Sequence, residues 1–376
     1  MTTDLIRIYE ASDLEPLIGE WNDLLLACGG TVFDTPEWIL ANIESFPPLR
    51  AEVLVARSEG NVVGVVPMAI RKGRRDLTYR SWGELASLPH ADYGSLLVRE
   101  NSASTVAGAI LDRFSRESDV SALHLGHLPN DRSFGRAFPL VARQQGFKPQ
   151  TREAYVVRRM ALDDKADLPS LMDRPSLNKR ERQLTRLGDV RFRAVTDWHA
   201  ILDDLEVFFA LHVRRFREKG MTSPLESPGM QRFYAALVRR LGPQRAVILS
   251  SLDLDGTPAA MRFSLCFGGT IHLYAATFDP ALSRYSPGIL QLRRLVEYAP
   301  EVGVTTLDLG IGDSQHKQLF EEASSTQLVN LAVFRTALGF AEARSVGWLR
   351  TLSAEHPSVG GRVSRLRRLL PARQPI

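Results

Sequence analysis

The sequence has few cysteines and no long apolar run. Only Cys28 and Cys266 of its 376 residues are cysteines, and they lie in separate halves of the chain. Because no CxxC pair occurs, neither a cysteine-based zinc site nor a disulfide framework is favoured, and we expect no metal. No stretch reaches the roughly 18 apolar residues of a membrane-spanning helix. The first residues, MTTDLIRIYEASDLEPL, lack the apolar segment of a signal peptide, so we expect a cytoplasmic protein.

Glycine-rich phosphate loops are missing as well. Neither a Walker motif nor GxGxxG occurs, so no motif supports a P-loop NTPase or a dinucleotide-binding enzyme. The formal net charge is only +4, from 47 Lys and Arg against 43 Asp and Glu. Such a small excess gives no reason to expect a nucleic acid as partner. A hydrophobic content of 44% is ordinary for a globular protein and excludes a disordered chain.

The order of predicted elements repeats along the chain. At about 100–200 residues per domain, the length predicts two domains. Each half reads as strand, helices, hairpin, strand, helix and strand. The hairpin arm SEGNVVGVVPMAI matches LDGTPAAMRFSL, and SALHLG (121–126) matches TTLDLG (305–310). Self-similarity at this length indicates two copies of one domain. Strands mixed with helices predict an α/β or α+β fold, with mixed sheets flanked by helices.

We place the domain boundaries by this repeat. The first domain covers 1–160 and the second 161–345, and a basic helix or tail follows at 346–376. Between the two copies lies a short predicted helix that is crowded with the basic residues Lys179, Arg180, Arg182 and Arg186. Two interpretations stay open for this helix. It is either a solvated face or an electropositive wall beside a polyphosphate or an anionic polymer.

The junction between the strand TIHLYAATF and the next helix is the most informative stretch. Residues 284–288 read Arg-Tyr-Ser-Pro-Gly, with Pro287 in the first helical turn. A helix start exposes unpaired N–H groups and carries partial positive charge, and therefore suits a phosphate. Gly288 would allow close approach of a ligand and Arg284 would pair with it. The same residues also form an ordinary helix start, so both readings stay open.

At this point the sequence resembles the GNAT-fold acyltransferases. The order of motifs is similar to that of the CelD-like (BioF2-like) acetyltransferase family, which is related to the Fem-type peptidyltransferases with two tandem GNAT domains. The resemblance covers about the first 340 residues. It rests on the stretches WNDLL, FDTPEWI, GNVVGVVPMAI, DYGSLLV, FFALHVRRF, FDPALSRYSPGILQLRRLVEYA and LDLGIGDSQHKQLFEE.

The resemblance implies binding of acetyl-CoA or another acyl-CoA in the second domain. The loop that receives the CoA pyrophosphate in GNAT proteins corresponds here to Arg284, Tyr285, Ser286, Pro287 and Gly288. The usual pattern is shortened to RYSPG, with a single glycine after the arginine. The first copy lacks this junction, since 99–106 read RENSASTV. We therefore expect one donor site, in the second copy, and a degenerate first domain.

Acyl transfer also needs a base and donors for an oxyanion. We expect backbone N–H groups near Ala276 and Thr277, at the splayed end of their strand, to serve as those donors. The candidate catalytic residues are Lys317, His316 and Asp313, in that order, and Lys317 corresponds to a lysine of the family's motif. Asp313 also reads as an ordinary helix cap.

The acceptor is expected to meet Asp92 and Tyr93 of the first domain and His212 and Asp308 of the second. Each has a structural alternative; Asp308, for example, alternates within a strand. The preferred function is transfer of an acyl group to the amine or hydroxyl of a small molecule or saccharide, in polysaccharide or cell-envelope biosynthesis. One alternative is a Fem-like transferase that takes its donor from tRNA. Another is a non-catalytic GNAT-like scaffold.

Overall fold

The computed structural model describes residues 2–75, 78–162, 175–312 and 323–335. Its helices are α1 (Ile18–Ala27), α2 (Pro36–Ser45), α3 (Ala103–Arg116), α4 (Ser133–Gln144), α5 (Pro175–Thr185), α6 (Trp198–Glu218), α7 (Pro228–Leu241) and α8 (Pro287–Tyr298). Its strands are β1 (Thr2–Ile8), β2 (Arg50–Ser58), β3 (Asn61–Arg75), β4 (Thr78–Leu85), β5 (Leu97–Val98), β6 (Ala122–Pro129), β7 (Gln150–Ala161), β8 (Val190–Val195), β9 (Val247–Leu254), β10 (Thr257–Phe267), β11 (Thr270–Phe278), β12 (Thr306–Asp308) and β13 (Ser324–Phe334).

The chain divides into two compact units. Among the described residues, the first contains those up to Ala154 together with 327–335, and the second contains those from Tyr155 to Thr326. The sequence-based division at 160 and 345 differs mainly in the position of β13. Most of that strand belongs to the first unit, because it pairs antiparallel with β6, for example Leu331 with Leu125.

The sheet of the first unit has the order β1-β2-β3-β4-β6-β13, and β5 pairs with β3. Neighbouring strands are antiparallel except for β4 and β6, which run parallel from Trp82–Ala122 to Glu84–His124. Helices α3 and α4 pack on this sheet through a shared core, in which Ile110 of α3, Phe138 of α4 and Leu331 of β13 are each 1% exposed or less. This core buries apolar area from segments about two hundred residues apart in the chain, and such burial is the main source of folding stability.

The sheet of the second unit has the order β7-β12-β11-β10-β9-β8, beginning with the part of β7 that follows residue 154. Here β11 and β12 run parallel, whereas β12 is antiparallel to β7. Helix α8 packs on one face with Leu292 and Leu295 buried. The other face carries Phe263, whose ring contacts Phe208 of α6 and Tyr234 of α7.

The predicted repeat of elements is confirmed. The hairpin β2–β3 corresponds to β9–β10, and β4 with α3 and β6 corresponds to β11 with α8 and β12. Local signals set several boundaries: the Thr35 hydroxyl accepts the Trp38 N–H at 3.2 Å, and Asp197 caps α6 by accepting the Ala200 N–H at 2.9 Å. The stretch DYGSLLV is a strand only at Leu97–Val98, because its earlier residues form a loop.

Candidate active site in the second unit

The two parallel strands of the second unit part after a short pairing. Thr270, Ile271 and His272 of β11 pair with Thr306, Leu307 and Asp308 of β12. The pairing stops there, although β11 continues to Phe278 along β10. The edge of β11 from Leu273 to Phe278 therefore has no pairing with β12. The resulting gap is the splayed end that the sequence predicts for this strand.

The register of β11 decides which backbone groups face this gap. The N–H of Asp279 donates to the carbonyl of Ala259 at 2.8 Å. Hydrogen-bonded and non-hydrogen-bonded pairs alternate in an antiparallel ladder, so the peptide groups of Thr277 and Ala275 also face β10. Those of Ala276 face the other way, toward the gap. The Ala276 N–H thus faces the gap, and the Thr277 N–H faces β10.

Arg215 of α6 occupies the same edge. Its Nη1 donates to the Ala276 carbonyl at 3.0 Å, and its guanidinium lies 4.2 Å from the centre of the Phe278 ring. Its Nε is buried without a hydrogen-bond partner among the described residues, as is the hydroxyl of Thr277. Burial lowers the pKa of Arg215 below its usual value. The guanidinium of Arg215 thus borders the gap.

The start of α8 carries the predicted phosphate cradle. Ser286 adopts left-handed backbone angles, φ 53° and ψ 49°, immediately before Pro287. Its carbonyl accepts the N–H groups of Ile289 and Leu290, at 3.0 and 3.1 Å. Pro287 has no N–H, so the first amide of the helix belongs to Gly288. A Cβ built on Gly288 would lie 3.5 Å from Phe278 Cδ1, an ordinary contact, so the fold itself does not require glycine at this position.

Two arginines reach this helix start from different elements. Arg284 is exposed and lies 4.7 Å over the buried ring of Tyr285, which orients its guanidinium beside the junction. Arg180 of α5 is exposed too, and its Nη1 donates to the hydroxyl of Ser286. The partial positive charge of the helix start and two guanidinium groups therefore meet at residues 284–288.

Helix α5 is fixed to α8 by ion pairs. Glu181 accepts from Arg293 and from Arg294, the latter at 2.7 Å, and Asn178 accepts from Arg293 at 2.8 Å. Leu177 and Leu184 are buried in the same small core as Tyr285. The basic helix, whose role the sequence left open, thus lies against the candidate cradle, with Lys179, Arg180 and Arg182 exposed.

Asp308 is fully buried at the point where β11 and β12 part. Its Oδ2 accepts from Arg159 Nε at 2.9 Å and lies 3.4 Å from His272 Nδ1, and its Oδ1 accepts the N–H of Gly310 at 2.8 Å. These contacts fix the last residues of β12 to β7 and β11. Both oxygens of this predicted acceptor-binding residue are therefore engaged within the protein.

His212 of α6 is also buried. Its Nδ1 lies 2.8 Å from the hydroxyl of Ser223, and its ring stacks on Phe216 at 4.5 Å. Burial, with a smaller contribution from the Arg215 charge, lowers the pKa of His212 to about 4. The imidazole is therefore neutral at pH 7.

In the first unit the corresponding gap, between β4 and β6, is filled by the protein's own chain. The Gly94 N–H donates to the His127 carbonyl at 3.0 Å, and His127 Nδ1 lies 2.9 Å from the Ala91 carbonyl. The loop is so close that a Cβ on Gly94 would lie 2.0 Å from the Gly126 carbonyl oxygen. The predicted acceptor residues Asp92 and Tyr93 belong to this loop, and both are buried.

Some predicted residues lie outside the described part of the chain: Asp313, His316 and Lys317. Among the described residues, sequence reasoning missed Arg262 and Gln291, which form a buried polar pair at 3.0 Å. The available signal was an arginine inside the apolar strand PAAMRFSL.

A family model matches the part of the chain that contains this candidate site. Residues 152–318 match the family model described as an acetyltransferase (GNAT) domain. This segment is a GNAT domain. It includes the splayed strands and the start of α8, and GNAT domains transfer acyl groups, so the reaction class is acyl transfer.

Three solved structures share the fold. FemX is 12% identical, with a TM-score of 0.60, covering 88% of this chain and 97% of its own. A conserved protein of unknown function from Bacteroides thetaiotaomicron is 10% identical with a TM-score of 0.54, covering 85% and 97%. A tandem GNAT protein from the clavulanic acid biosynthesis pathway is 15% identical with a TM-score of 0.51, covering 88% and 98%. At these identities the likeness concerns the fold alone. A search of curated protein sequences finds no match.

The described ranges show neither a candidate membrane-spanning helix nor a candidate metal cluster. None of the helices there combines the length and apolar character that crossing a bilayer requires. The same ranges contain no group of three or more His, Cys, Asp or Glu side chains that could hold a metal ion.

Proposed function

We propose that the second unit transfers an acyl group, acetyl in the simplest case, from acyl-CoA to an amine or hydroxyl acceptor. The observation that carries this proposal is the junction at residues 284–288. There the start of α8, with the Gly288 N–H, and the guanidinium groups of Arg284 and Arg180 together provide positive charge and hydrogen-bond donors for a diphosphate. The filled gap of the first unit supports a single donor site.

The chemistry follows from the gap next to this cradle. The acceptor nitrogen or oxygen attacks the thioester carbonyl, the carbonyl oxygen becomes an oxyanion, and the C–S bond then breaks to release the CoA thiolate. The Ala276 N–H, which faces the gap, is our candidate to stabilise that oxyanion. Lys317, His316 and Asp313 remain the proposed groups that accept the proton of the acceptor or neutralise charge. A small molecule or a saccharide of polysaccharide or cell-envelope biosynthesis remains the proposed acceptor.

Acetyl-CoA binding tests the cradle. We expect acetyl-CoA to raise the melting temperature of the protein, because a ligand that binds only the native state stabilises it. Arg284→Ala should abolish this shift, whereas Arg239→Ala, on the exposed side of α7, should keep it. The measurement is differential scanning fluorimetry with and without the ligand. The absence of any shift at millimolar acetyl-CoA would contradict the proposal.

Lys317 is tested separately from binding. Lys317→Ala should lose acyl transfer while its thermal shift with acetyl-CoA remains that of the wild type. The measurement is release of free CoA thiol in the presence of amine and hydroxyl acceptors. Unchanged turnover would mean that Lys317 has no catalytic role.

The exposed basic residues of α5 favour a second candidate, in which the donor arrives on tRNA. Lys179, Arg180 and Arg182 all lie on the exposed surface of that helix, as a polyanion would require. A thermal shift with aminoacyl-tRNA, and none with acetyl-CoA, would replace the first proposal by this one.

A further inference from the structure

Arg262 is a buried arginine in the middle of the sheet of the second unit. It lies on β10 and is 4% exposed. Its Nε donates to Gln291 Oε1 of α8 at 3.0 Å, and Gln291 Nε2 donates to the hydroxyl of Ser250 on β9 at 2.7 Å. Every one of these partners is neutral.

No carboxylate among the described residues pairs with this guanidinium. Arg293 of α8 provides a contrast. It is also 4% exposed, but it pairs with Glu181. A buried charge without a counter-ion destabilises the folded state by several kcal/mol. A residue kept at such a cost is typical of a site that binds an ion of the opposite charge.

A second arginine without an acidic partner among the described residues lies nearby. Arg215 donates to the Ala276 carbonyl at 3.0 Å and pairs with no acidic side chain of the described residues. The adjacent carboxylate of Asp279 is engaged by Arg214, at 2.5 Å. The charge of Arg215 also acts on Arg262, whose pKa is lowered to about 10 by burial and then by Arg215. The two guanidinium groups therefore repel each other.

Both arginines converge on Ala276. Arg262 is the cross-strand neighbour of Ala276, and by the alternation of the ladder this is a non-hydrogen-bonded pair, in which side chains come closest. Ala276, the cross-strand neighbour of Arg262, contributes only a methyl group. The same residue carries the N–H that faces the gap. The positive charge is thus concentrated where the reacting end of the substrates would lie.

We infer that Arg262 and Arg215 form a subsite for a carboxylate group of a substrate, next to the reacting carbonyl. This inference rests on the proposed function for its place in the reaction. A carboxylate accepts two parallel hydrogen bonds from one guanidinium and neutralises the charge that the described residues leave without an acidic partner. The phosphates of CoA have their own cradle at residues 284–288. The carboxylate belongs either to the acyl chain, as in succinyl-CoA, or to the acceptor.

Free succinate tests the subsite without any CoA. We expect succinate to raise the melting temperature of the wild-type protein saturably, and more than chloride or inorganic phosphate at equal ionic strength. Arg262→Met removes the charge and keeps an unbranched side chain. It should weaken the succinate response about tenfold or more, as expected on loss of a charged hydrogen bond. Its melting temperature without ligand should equal or exceed that of the wild type, since an unpaired buried charge is lost.

Arg293→Met is the matched control. This substitution breaks the pair with Glu181, so it should lower the melting temperature and keep the succinate response. The inference is overturned if succinate acts no more strongly than phosphate or chloride. It is also overturned if Arg262→Met lowers the melting temperature as Arg293→Met does and still responds to succinate.

The source of the carboxylate is settled by comparing two donors. If it belongs to the acyl chain, the wild type binds succinyl-CoA more tightly than acetyl-CoA, and Arg262→Met removes the difference. If it belongs to the acceptor, the two donors bind alike, and succinate adds its own shift to that of acetyl-CoA. A thermal shift with succinate, together with no shift with either CoA ester, would support the subsite and refute only the proposal that the donor is acyl-CoA.

Discussion

His212 shows how burial changes the chemistry of a single residue. As a histidine on a helix beside the gap, it is a candidate acceptor-binding group. In the folded protein its Nδ1 lies 2.8 Å from the Ser223 hydroxyl and its pKa is lowered to about 4. The unfolded chain has a histidine pKa of about 6.5, so the unfolded state binds more protons between these two values. His212 therefore contributes stability above about pH 6.5 that is lost as the pH falls toward 4.

We predict that His212→Gln flattens the pH dependence of stability. Between pH 7 and 4.5 the wild type should lose up to about 3 kcal/mol more than the variant, the linkage expected for a shift of this size. The measurement is urea unfolding at a series of pH values. His90→Gln in the first unit, where burial lowers the pKa of His90 to about 4, is the matched comparison and should flatten the slope similarly. Parallel profiles for the wild type and His212→Gln would contradict the prediction.

At the residue scale, sequence reasoning succeeded where the signal was local. The left-handed Ser286, the proline after it and the stacked Arg284 all belong to one continuous stretch. The role proposed for Arg262 could not be predicted from the sequence. It depends on Gln291 and Ala276, which lie next to Arg262 only in the folded sheet and helix. A single charged residue in an apolar strand indicates a special position, but the sequence does not show which residues it contacts.

At the scale of elements, two glycines, one in each copy, have different surroundings. Gly94 lies in the loop that fills the gap of the first unit, with no room for a Cβ beside the Gly126 carbonyl. Gly288 opens α8 of the second unit, where a Cβ makes only an ordinary contact with Phe278. Sterics require the first glycine for folding, whereas the second has no such constraint and offers its own N–H at the helix start.

This difference predicts opposite outcomes for two alanine substitutions. Gly288→Ala should leave the melting temperature within about 2 °C of the wild type, as is usual for substitutions that cause no clash. It should also reduce the shift in melting temperature with acetyl-CoA. Gly94→Ala should lower the melting temperature by several degrees or more, because the backbone must move, and leave a shift if the protein folds. Thermal unfolding with and without acetyl-CoA measures both. A full acetyl-CoA response in Gly288→Ala would contradict close approach at this helix start.

The helix α5 illustrates why element type was easier to predict than element role. Its helical pattern and its basic residues are visible in the sequence. Its position depends on the pairs of Glu181 with Arg293 and Arg294, more than a hundred positions away. Charge patterning alone therefore could not decide between a solvated face and a wall beside the cradle.

At the scale of the whole molecule, the first unit is not one continuous stretch of chain. Its last strand, β13, comes after the complete second unit, and Leu331 and Val333 are 1% exposed or less in the core of the first. The sequence predicted the repeat well, because each copy presents its elements in the same order. It did not predict β13 in the first unit, since the partner strand β6 lies about two hundred residues earlier.

We predict that truncation after Thr326 unfolds the first unit. Removal of β13 exposes the edge of β6 and the apolar side chains that β13 covers, such as Leu125. A chain that ends at Arg335 keeps this strand and should retain the fold of the first unit. Limited proteolysis, with fragments identified by mass spectrometry, distinguishes the two. Equal protection of residues 1–154 in both truncations would refute this role of β13.

The late position of β13 has a consequence for biosynthesis. Small units normally fold in the order in which they leave the ribosome. Here the nascent first unit must wait, with β6 lacking one neighbour, until more than three hundred residues have been translated. The second unit is therefore complete before the first, although most of the first unit is translated earlier.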